Sequence, residues 1–340
     1  MKTTMQQPVT QPSKERLLTG YLQQYYGVQP VDISRLGGYS NENYGITTAD
    51  GRRYVARVAR HNRSAESCAA EAHVLRKLQQ AGYGITPVMK SLPGGMPQIN
   101  INEKGSQYLH LFDVLPGKIT CLWWQQCSRE KLVMLFENLA HLHEYMYRVP
   151  ALYQQAAEMQ LYTLPQIAPP LAAVAAVDDY VKQHWAQFTE KAHLLQRDIK
   201  NTFPWHKARY QWIHGDVQLE NVLFEEDRLT AFLDFEWVSW DACEKEVIFS
   251  AFRTCKEGQQ DDFFRVDETL LHAALLAYRE KNKLLCNTFF DHYSTLWQPF
   301  FCLDQAMMYL HNAWAGVWEL QQGIGFLPCF NEVLGYRPLT

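Results

Sequence analysis

The sequence predicts an α+β fold in two lobes, in which a β-rich N-terminal part precedes a larger, mostly helical C-terminal part. From Ile33 onward, short apolar runs of strand character alternate with turn signals such as Asp50-Gly51, whose residues tolerate positive φ. Beyond Gly117, apolar residues recur at helical spacing, and one strand-like hairpin interrupts them. With 340 residues and 47% hydrophobic content, the chain can give each lobe a core. We expect a connector near residues 110–117, and we assign residues 1–113 to the first lobe and 114–340 to the second.

The composition of the chain indicates which classes of partner and which cellular compartment to expect. A net charge of −4 and a pI near 6.3 argue against a nucleic-acid partner, because phosphate backbones are bound by clustered Lys and Arg. We expect no membrane partner, since the sequence has no long apolar run and its N-terminus lacks the apolar core of a signal peptide. The eight cysteines form no CxxC pair, which favours free thiols in a reducing compartment. These features predict a cytoplasmic protein and leave its oligomeric state open.

The first lobe begins with a polar arm over residues 1 to about 14 and continues with the strands around the Asp50-Gly51 turn. Residues of the strand after this turn alternate between two faces, so that Arg57 faces away from its immediate neighbours. A helix is predicted over residues 64–81, because its apolar residues share one face and Gly82 follows its end.

The second lobe is predicted to be helical on the same grounds. Residues 129–147 carry an apolar stripe, and Ser128 is a suitable N-cap. The segment 150–170 is less regular and holds four prolines, which fits an insertion or a loop near a substrate. Further helices are predicted over residues 242–256, 267–282 and 290–322.

One hairpin, from Trp212 to Trp237, carries polar residues among apolar strands, namely His214, Asp216, Asn221, Asp234 and Glu236. Mg²⁺ binds one or two protein oxygens plus substrate phosphates, and Asn221 and Asp234 have suitable oxygens. Asp216 then remains to orient a substrate hydroxyl and accept its proton. The alternative is a set of turn and capping residues, a common use of Asp and Asn.

The pattern HGDxxxxN followed by DFE resembles the catalytic loop and metal-binding segment of the aminoglycoside phosphotransferase, choline kinase and homoserine kinase-like superfamily. The resemblance implies a bilobal protein-kinase-like fold, with an antiparallel sheet and one main helix in the N-terminal lobe. It also implies ATP and Mg²⁺ as cofactors and a small-molecule hydroxyl as acceptor. In the catalytic motif it makes Asp216 the base and His214 a mainly structural member. It also implies that Asn221 and Asp234 hold Mg²⁺, and that any role of Glu236 is to bind a second ion or the substrate.

Three further segments resemble the nucleotide site of that family. "LGGYSNENYGITT" is similar to its phosphate loop, and "RRYVARVAR" to the strand whose cation pairs the α- and β-phosphates. "LHLFDVLPGK" is similar to the connector whose backbone meets the adenine edge. The residues that this implies are Gly38, Ser40 and Asn41 in the loop, Val55 and Arg57 on the strand, Glu71 on the following helix, and Phe112 and Val114 at the connector. Arg53 and Arg60 are rivals of Arg57.

One position departs from the family pattern, and one pair of histidines could be mistaken for a metal site. Where members have a second Asp downstream of DFE, this chain has Glu246, whose longer arm bears on the positioning of the catalytic loop. His141 and His143 are two apart on a helix and point to different sides, so we interpret them as packing or capping groups rather than a metal pair.

The acceptor is expected in the C-terminal lobe, where tryptophans lie near carboxylates. Aromatic faces and carboxylates hold ammonium groups, and we single out Glu236, Trp240 and Asp241 as substrate residues. Trp314 and Trp318 are four apart on a predicted helix, a spacing typical of core residues. The composition favours a small amino alcohol of the homoserine or choline type. Alternatives are an aminoglycoside, a protein Ser or Thr, and a pseudokinase that binds nucleotide without transferring phosphate.

Overall fold

The computed structural model describes residues 13–38, 41–61, 63–90, 92, 95–101, 105–122, 125–152, 164–257, 264–283, 285–317, 319–320 and 325–339. The chain divides into two compact units. The first holds the residues up to Arg76 together with Pro87–Leu115, and the second holds Lys77–Thr86 and the residues from Pro116 onward. The first unit is built on an antiparallel sheet and the second is largely helical, which confirms the predicted α+β class.

The sheet of the first unit has five strands in the order β1-β2-β3-β5-β4, and all neighbouring pairs are antiparallel. The Asp50-Gly51 turn joins β2 to β3 as predicted, and Gly51 has φ 79° there and donates its N–H to the Thr48 carbonyl at 2.9 Å. Arg57 on β3 lies opposite His110 on β5. The strands are β1 (Pro30–Gly37), β2 (Glu42–Thr48), β3 (Arg53–Val58), β4 (Gln98–Ile99) and β5 (Gln107–Asp113).

Two helices, α1 (Lys14–Tyr26) and α2 (Ala65–Gln80), flank this sheet. Leu18 and Leu22 of α1 are fully buried in one hydrophobic cluster with residues of β3. The predicted helix over residues 64–81 is α2, whereas α1 was not predicted. Its signals were local: the Ser13 side chain accepts a hydrogen bond from the Arg16 N–H at 3.3 Å, and Gly27 ends the helix with φ 65°. Most of the predicted polar arm lies outside the described residues.

The second unit contains seven helices among the described residues and two small antiparallel pairs, β6 with β9 and β7 with β8. The predicted helices at 129–147, 242–256 and 267–282 are present, while the prediction for 290–322 covers α8 and a π-helical turn before it. The second and third helices of the unit and its last one were not predicted. Their bounds, with those of the strands, are α3 (Arg129–Tyr147), α4 (Leu164–Ala175), α5 (Asp179–Thr202), β6 (Tyr210–Ile213), β7 (Val222–Glu225), β8 (Arg228–Phe232), β9 (Ser239–Ala242), α6 (Cys243–Thr254), α7 (Glu268–Lys281), α8 (Gln298–Trp314) and α9 (Phe326–Leu334).

Aromatic side chains form much of the core of the second unit. Trp297 is fully buried, and its ring lies 4.7 Å from that of Phe203. Trp314 is 58% exposed, so its interpretation as a core residue was wrong, and Trp318 lies outside the described residues. The eight cysteines are free thiols, as expected. None of the helices in the described ranges is long and apolar enough to cross a membrane.

Candidate active site

The β7–β8 hairpin brings the two predicted metal ligands to one end. Val222 pairs with Phe232, and the Leu233 N–H donates to the Asn221 carbonyl at 2.7 Å. Asn221 therefore precedes one strand at the point where Asp234 follows the other. Sequence spacing alone does not fix this register, because the length of the turn between the strands decides it.

Only one of the two carboxylate oxygens of Asp216 accepts hydrogen bonds from the described residues. Its Oδ2 accepts hydrogen bonds from Gln218 Nε2 at 3.1 Å and from Asn221 Nδ2 at 2.9 Å. Asn221 Nδ2 also donates to the Asp216 carbonyl at 2.9 Å, which leaves the side-chain oxygen of Asn221 as the atom available to a cation. Within the described part of the chain, no hydrogen bond reaches Asp216 Oδ1. Gln218 was not predicted, although its position two residues after Asp216 is visible in the motif.

Asp234 adopts a left-handed backbone conformation, with φ 58° and ψ 65°. Such a conformation costs free energy for a residue with a Cβ, and it recurs at functional sites. Among the described residues, no cluster of three or more His, Cys, Asp or Glu side chains is arranged to hold a metal. The donor set of Asn221 and Asp234, an amide oxygen and a carboxylate, fits Mg²⁺, whose remaining ligands are phosphates and water.

His214 connects the loop of Asp216 to the segment of Asp234. Its Nε2 donates to the Leu233 carbonyl at 2.8 Å, and its Nδ1 accepts the N–H of Asp216 at 3.3 Å. Burial lowers the pKa of His214, which agrees with this neutral form. Gly215 has φ 84°, and a Cβ there would lie 2.2 Å from the Trp237 carbonyl oxygen, so only glycine fits.

Glu246 on α6 binds the backbone of the loop that precedes Asp216. Its carboxylate accepts the N–H groups of His214 at 3.0 Å and Gly215 at 2.5 Å, and it accepts His143 Nε2 at 2.6 Å. Burial alone would raise the pKa of Glu246, but the hydrogen bond and charge of His143 lower it. The longer arm of Glu at this position therefore reaches both loop amides.

His143 is more than the packing group that the sequence suggested. Its ring is fully buried, and Nδ1 lies 2.7 Å from Tyr278 Oη and 3.0 Å from Cys243 Sγ. Burial alone would lower the pKa of His143, but Cys243 and Glu246 raise it to about 10. The ring is thus an imidazolium near neutral pH and forms a buried ion pair with Glu246.

The first unit contains a second ionic cluster, made of Arg57, Arg63, Glu71 and His110. Arg57 Nη2 donates to both oxygens of Glu71 at 2.5 and 2.6 Å, and Arg63 Nη2 donates to Glu71 Oε2 at 2.7 Å. His110 Nδ1 lies 2.7 Å from Arg57 Nη2. Of the three candidate arginines, Arg57 is the one paired with Glu71. Arg63 and His110 were not predicted, because their contacts depend on the packing of α2 and β5 against β3.

The charge of this cluster is +1. Burial lowers the pKa of His110 well below its usual value, and Arg57 acts in the same direction, so this ring is neutral. Burial alone would raise the pKa of Glu71, but Arg57 and Arg63 lower it to about 2. Two arginines therefore share one carboxylate, and the remaining positive charge suits an anionic ligand.

This depressed pKa makes the stability of the chain sensitive to acid through Glu71. A group whose pKa is lower in the folded state stabilises the folded state at pH values above its unfolded pKa. For Glu71 the unfolded pKa is near 4.5, and the stabilisation disappears as pH falls toward 2. We expect Glu71→Gln to lower the free energy of unfolding near pH 7. The difference from wild type should shrink by up to about 1.4 kcal/mol per pH unit below pH 4.5. Urea denaturation from pH 7 to 3.5 measures it, and a difference that is independent of pH would contradict the assignment.

The other predicted nucleotide residues lie on the same unit. Gly38 has φ 125°, and a Cβ there would lie 2.4 Å from the Asn41 carbonyl oxygen. Asn41 is buried and its Oδ1 accepts the Arg60 N–H at 3.1 Å, while Ser40 lies outside the described residues. Val55 is half-buried on β3.

At the end of β5, Phe112 and Val114 differ in their surroundings. The Phe112 ring is buried, and the Arg57 guanidinium lies 5.0 Å from its centre. The Asp113 N–H donates to the Val88 carbonyl at 3.1 Å, so this N–H already has a partner within the unit. Val114 follows the strand and is 40% exposed. Of the two residues predicted to meet adenine, Phe112 is therefore buried and Val114 is exposed.

The predicted substrate residues of the second unit lie in different environments. Glu236 is buried, and the Trp240 ring packs edge-on against that of Trp212 at 5.8 Å. Asp241 Oδ2 is paired with Lys245 Nζ at 2.7 Å, and both side chains are mostly buried.

A row of alternating charges extends from the Asp216 carboxylate. Arg253 Nε on α6 lies 3.9 Å from Asp216 Oδ1, and Lys245 on the same helix pairs with Asp241. Burial raises the pKa of Asp304 on α8, and both Lys245 and Arg253 oppose this effect. The order is Asp216, Arg253, Asp304, Lys245 and Asp241, which we call the charged row. The sequence did not indicate Lys245 or Arg253, since the row is assembled by the packing of α6 against α8.

Comparison with known proteins shows the family of the chain and its fold. A sequence profile of the phosphotransferase enzyme family matches residues 32–281. No curated protein matches the chain in sequence.

Three solved structures illustrate the similarity in fold. One is an amicoumacin kinase in complex with AMP-PNP and Ca²⁺, with a TM-score of 0.67 and 15% identity over 96% of this chain and 95% of that chain. Another is a spectinomycin phosphotransferase in complex with ADP and spectinomycin, with a TM-score of 0.62 and 12% identity over 97% and 99% of the two chains. A microcompartment-associated aminopropanol kinase has a TM-score of 0.62 and 15% identity over 92% and 94%. The protein-kinase-like fold is thereby shown.

Proposed function

Since this chain belongs to the phosphotransferase enzyme family, we propose that it transfers the γ-phosphate of ATP to a hydroxyl group of a small molecule. The observation that carries the proposal is the hydrogen bonding of the Asp216 carboxylate. Gln218 and Asn221 hold one of its oxygens, while no hydrogen bond from the described residues reaches the other. An oriented carboxylate with one available oxygen beside a pair of metal-binding side chains is suited to phosphoryl transfer.

In the proposed reaction, Asp216 Oδ1 accepts the proton of the acceptor hydroxyl as the hydroxyl oxygen forms a bond to the γ-phosphorus. The bond from this phosphorus to the oxygen bridging the β-phosphorus breaks, and ADP leaves with that oxygen. Asn221 and Asp234 hold Mg²⁺, which when bound neutralises charge on the phosphates. His214 acts as a positioning residue, because its ring bonds join the segments of Asp216 and Asp234.

The first unit is proposed to bind the nucleotide. Its cluster of two arginines and one carboxylate carries the positive charge that the α- and β-phosphates need, with Arg57 oriented by Glu71. The backbone at Gly38, with Ser40 and Asn41, covers the phosphates. Val55, Phe112 and Val114 receive the adenine.

The acceptor is proposed to be an amino alcohol, of the homoserine or choline type. The charged row contains three carboxylates and two cations, so it has a net charge of −1 when all five groups are ionised. An ammonium group on the acceptor complements this charge. The free thiols also support a cytoplasmic location, since they persist in reducing compartments.

The test is phosphate transfer from ATP across a panel of hydroxyl compounds, as a function of Mg²⁺. We expect transfer to require Mg²⁺, and we expect Asp234→Asn to raise the Mg²⁺ concentration for half-maximal rate by at least about tenfold, because it removes a charged ligand. Asp227→Asn, the same change in the exposed turn of this hairpin, is the matched control. A chain that is stabilised by Mg-ATP in a thermal shift but phosphorylates nothing would instead be a pseudokinase.

A further inference from the structure

We propose that the acceptor carries a carboxylate in addition to its ammonium group, and that Arg253 binds this carboxylate while the hydroxyl lies on Asp216. The proposal rests on the proposed function, and it distinguishes between the two acceptor types named there. It favours hydroxy amino acids of the homoserine kind over choline-like amino alcohols. It also makes Arg253 the residue that selects the acceptor.

The position of Arg253 is the first argument. Its Nε lies 3.9 Å from Asp216 Oδ1, the oxygen left available for the acceptor hydroxyl. A molecule with its hydroxyl on Oδ1 therefore places any group a few bonds away within reach of the guanidinium. The Arg253 side chain is 15% exposed, so a ligand can approach it.

The second argument is that most hydrogen-bond donors of the Arg253 guanidinium have no acceptor among the described residues. It has five N–H groups in a planar fork. Within the described residues it makes one hydrogen bond, a long one of 3.5 Å from Nη1 to the Gly215 carbonyl. The distance of Nε to Asp216 Oδ1 exceeds hydrogen-bond length, so that ion pair uses charge and not a donor. A free planar fork matches a carboxylate, which accepts two parallel N–H groups.

The surroundings hold Arg253 in place for this role. Its guanidinium lies 5.8 Å from the centre of the Phe301 ring on α8, and Phe301 also packs against Phe249 of α6 at 5.3 Å. Asp304 lies one turn beyond Phe301, on the same face of α8. An amino acid bound along the charged row would thus meet Arg253 with its carboxylate and Asp304 with its ammonium group.

Binding to the full chain with saturating Mg-AMP-PNP tests the proposal by calorimetry. The probes are L-homoserine and 3-aminopropan-1-ol, which lacks the carboxylate. We expect homoserine to bind about 10- to 100-fold more tightly, the range of a charge-assisted bidentate contact. Arg253→Gln should abolish this difference, and Arg253→Lys, which keeps the charge without the fork, should restore part of it. Arg228→Gln, at an exposed arginine of the β7–β8 turn, should behave as wild type.

Several results would overturn the proposal. These are equal binding of the two probes to the wild type, binding of neither, or equal weakening of both by Arg253→Gln. Thermal unfolding of each variant shows whether it is folded, and Arg253→Lys serves as the second variant if Arg253→Gln is not. A kcat loss in Arg253→Gln that is the same for every acceptor would assign Arg253 to the transferred phosphate and would also overturn it.

The experiment also distinguishes failure of the proposed phosphotransferase reaction from failure of the proposed role of Arg253. If homoserine binds through Arg253 but receives no phosphate, the carboxylate site stands and the phosphotransferase reaction does not. If 3-aminopropan-1-ol is phosphorylated as well as homoserine, the reaction stands and the role of Arg253 does not.

Discussion

Replacing Asp216 with Asn is expected to lower kcat by about 10²- to 10⁴-fold, the usual contribution of a positioned general base. The amide keeps the shape of the side chain, and its oxygen can still accept the bonds from Gln218 and Asn221. It cannot take up the proton of the acceptor hydroxyl at neutral pH. Binding of Mg-ATP, measured by thermal shift, should therefore change little, while single-turnover phosphate transfer should slow by the same factor as kcat.

The control for this prediction is Asp227→Asn, the same chemical change at an exposed position of the same hairpin. It should leave kcat unchanged. An Asp216→Asn enzyme that turns over at the wild-type rate would show that another group accepts the proton. Loss of Mg-ATP binding together with kcat would instead show that Asp216 belongs to the metal site.

Replacing Glu246 with Gln is expected to lower the free energy of unfolding by about 3–5 kcal/mol, because the buried His143 loses its counter-charge and must either give up its proton or remain an unpaired imidazolium. The Glu246 side chain is 2% exposed, so water does not screen the pair. Urea denaturation followed by circular dichroism measures the loss. Adding His143→Gln should recover part of it, since the double variant buries no charge at this place.

The pH dependence gives a second measurement of the same pair. The pKa of His143 is raised in the folded state to about 10, so its stabilising contribution is complete below pH 6.5 and is lost as pH rises through 10. The His143→Gln variant should lack this alkaline decline.

Glu244→Gln is the matched control on the same helix. Glu244 is also buried and accepts two backbone N–H groups, from Arg209 at 3.0 Å and Cys286 at 3.1 Å, but none of the histidines that the structure describes pairs with it. We expect a smaller loss of stability there and an unchanged kcat. Equal losses in both variants would mean that burial of a carboxylate, rather than the ion pair, determines the effect.

The sequence predicted the fold class and the main elements where local signals are strong. The Asp50-Gly51 turn and the Ser128 cap are examples, and both are present. It did not predict α1, although Ser13 and Gly27 mark the ends of this helix. The helix is stabilised by the burial of Leu18 and Leu22 in the same cluster as the sheet residues, a tertiary contact that the local sequence does not show.

For the candidate site, the motif identified residues that follow one another along the chain. Asn221 and Asp234 flank the β7–β8 hairpin, whose short turn brings them to one end, and Asp216 in the preceding loop is bonded to Asn221. The residues that it missed approach from other elements. Arg63 reaches Glu71, His143 reaches Glu246 across 103 positions, and Arg253 reaches Asp216 from α6. Such pairs depend on how helices pack, which spacing within a motif does not encode.

The attachment of the His214–Gly215 loop to Glu246 has a consequence for the response to heating. The two loop amides are bound to a side chain of α6, which is bound in turn to α3 and, through Tyr278, to α7. These bonds couple the loop to the packing of those helices, so opening the loop alone must break buried hydrogen bonds. On heating, we expect the loop to keep its structure until the helical unit unfolds, so that the loop and the helices of this unit are lost in a single transition.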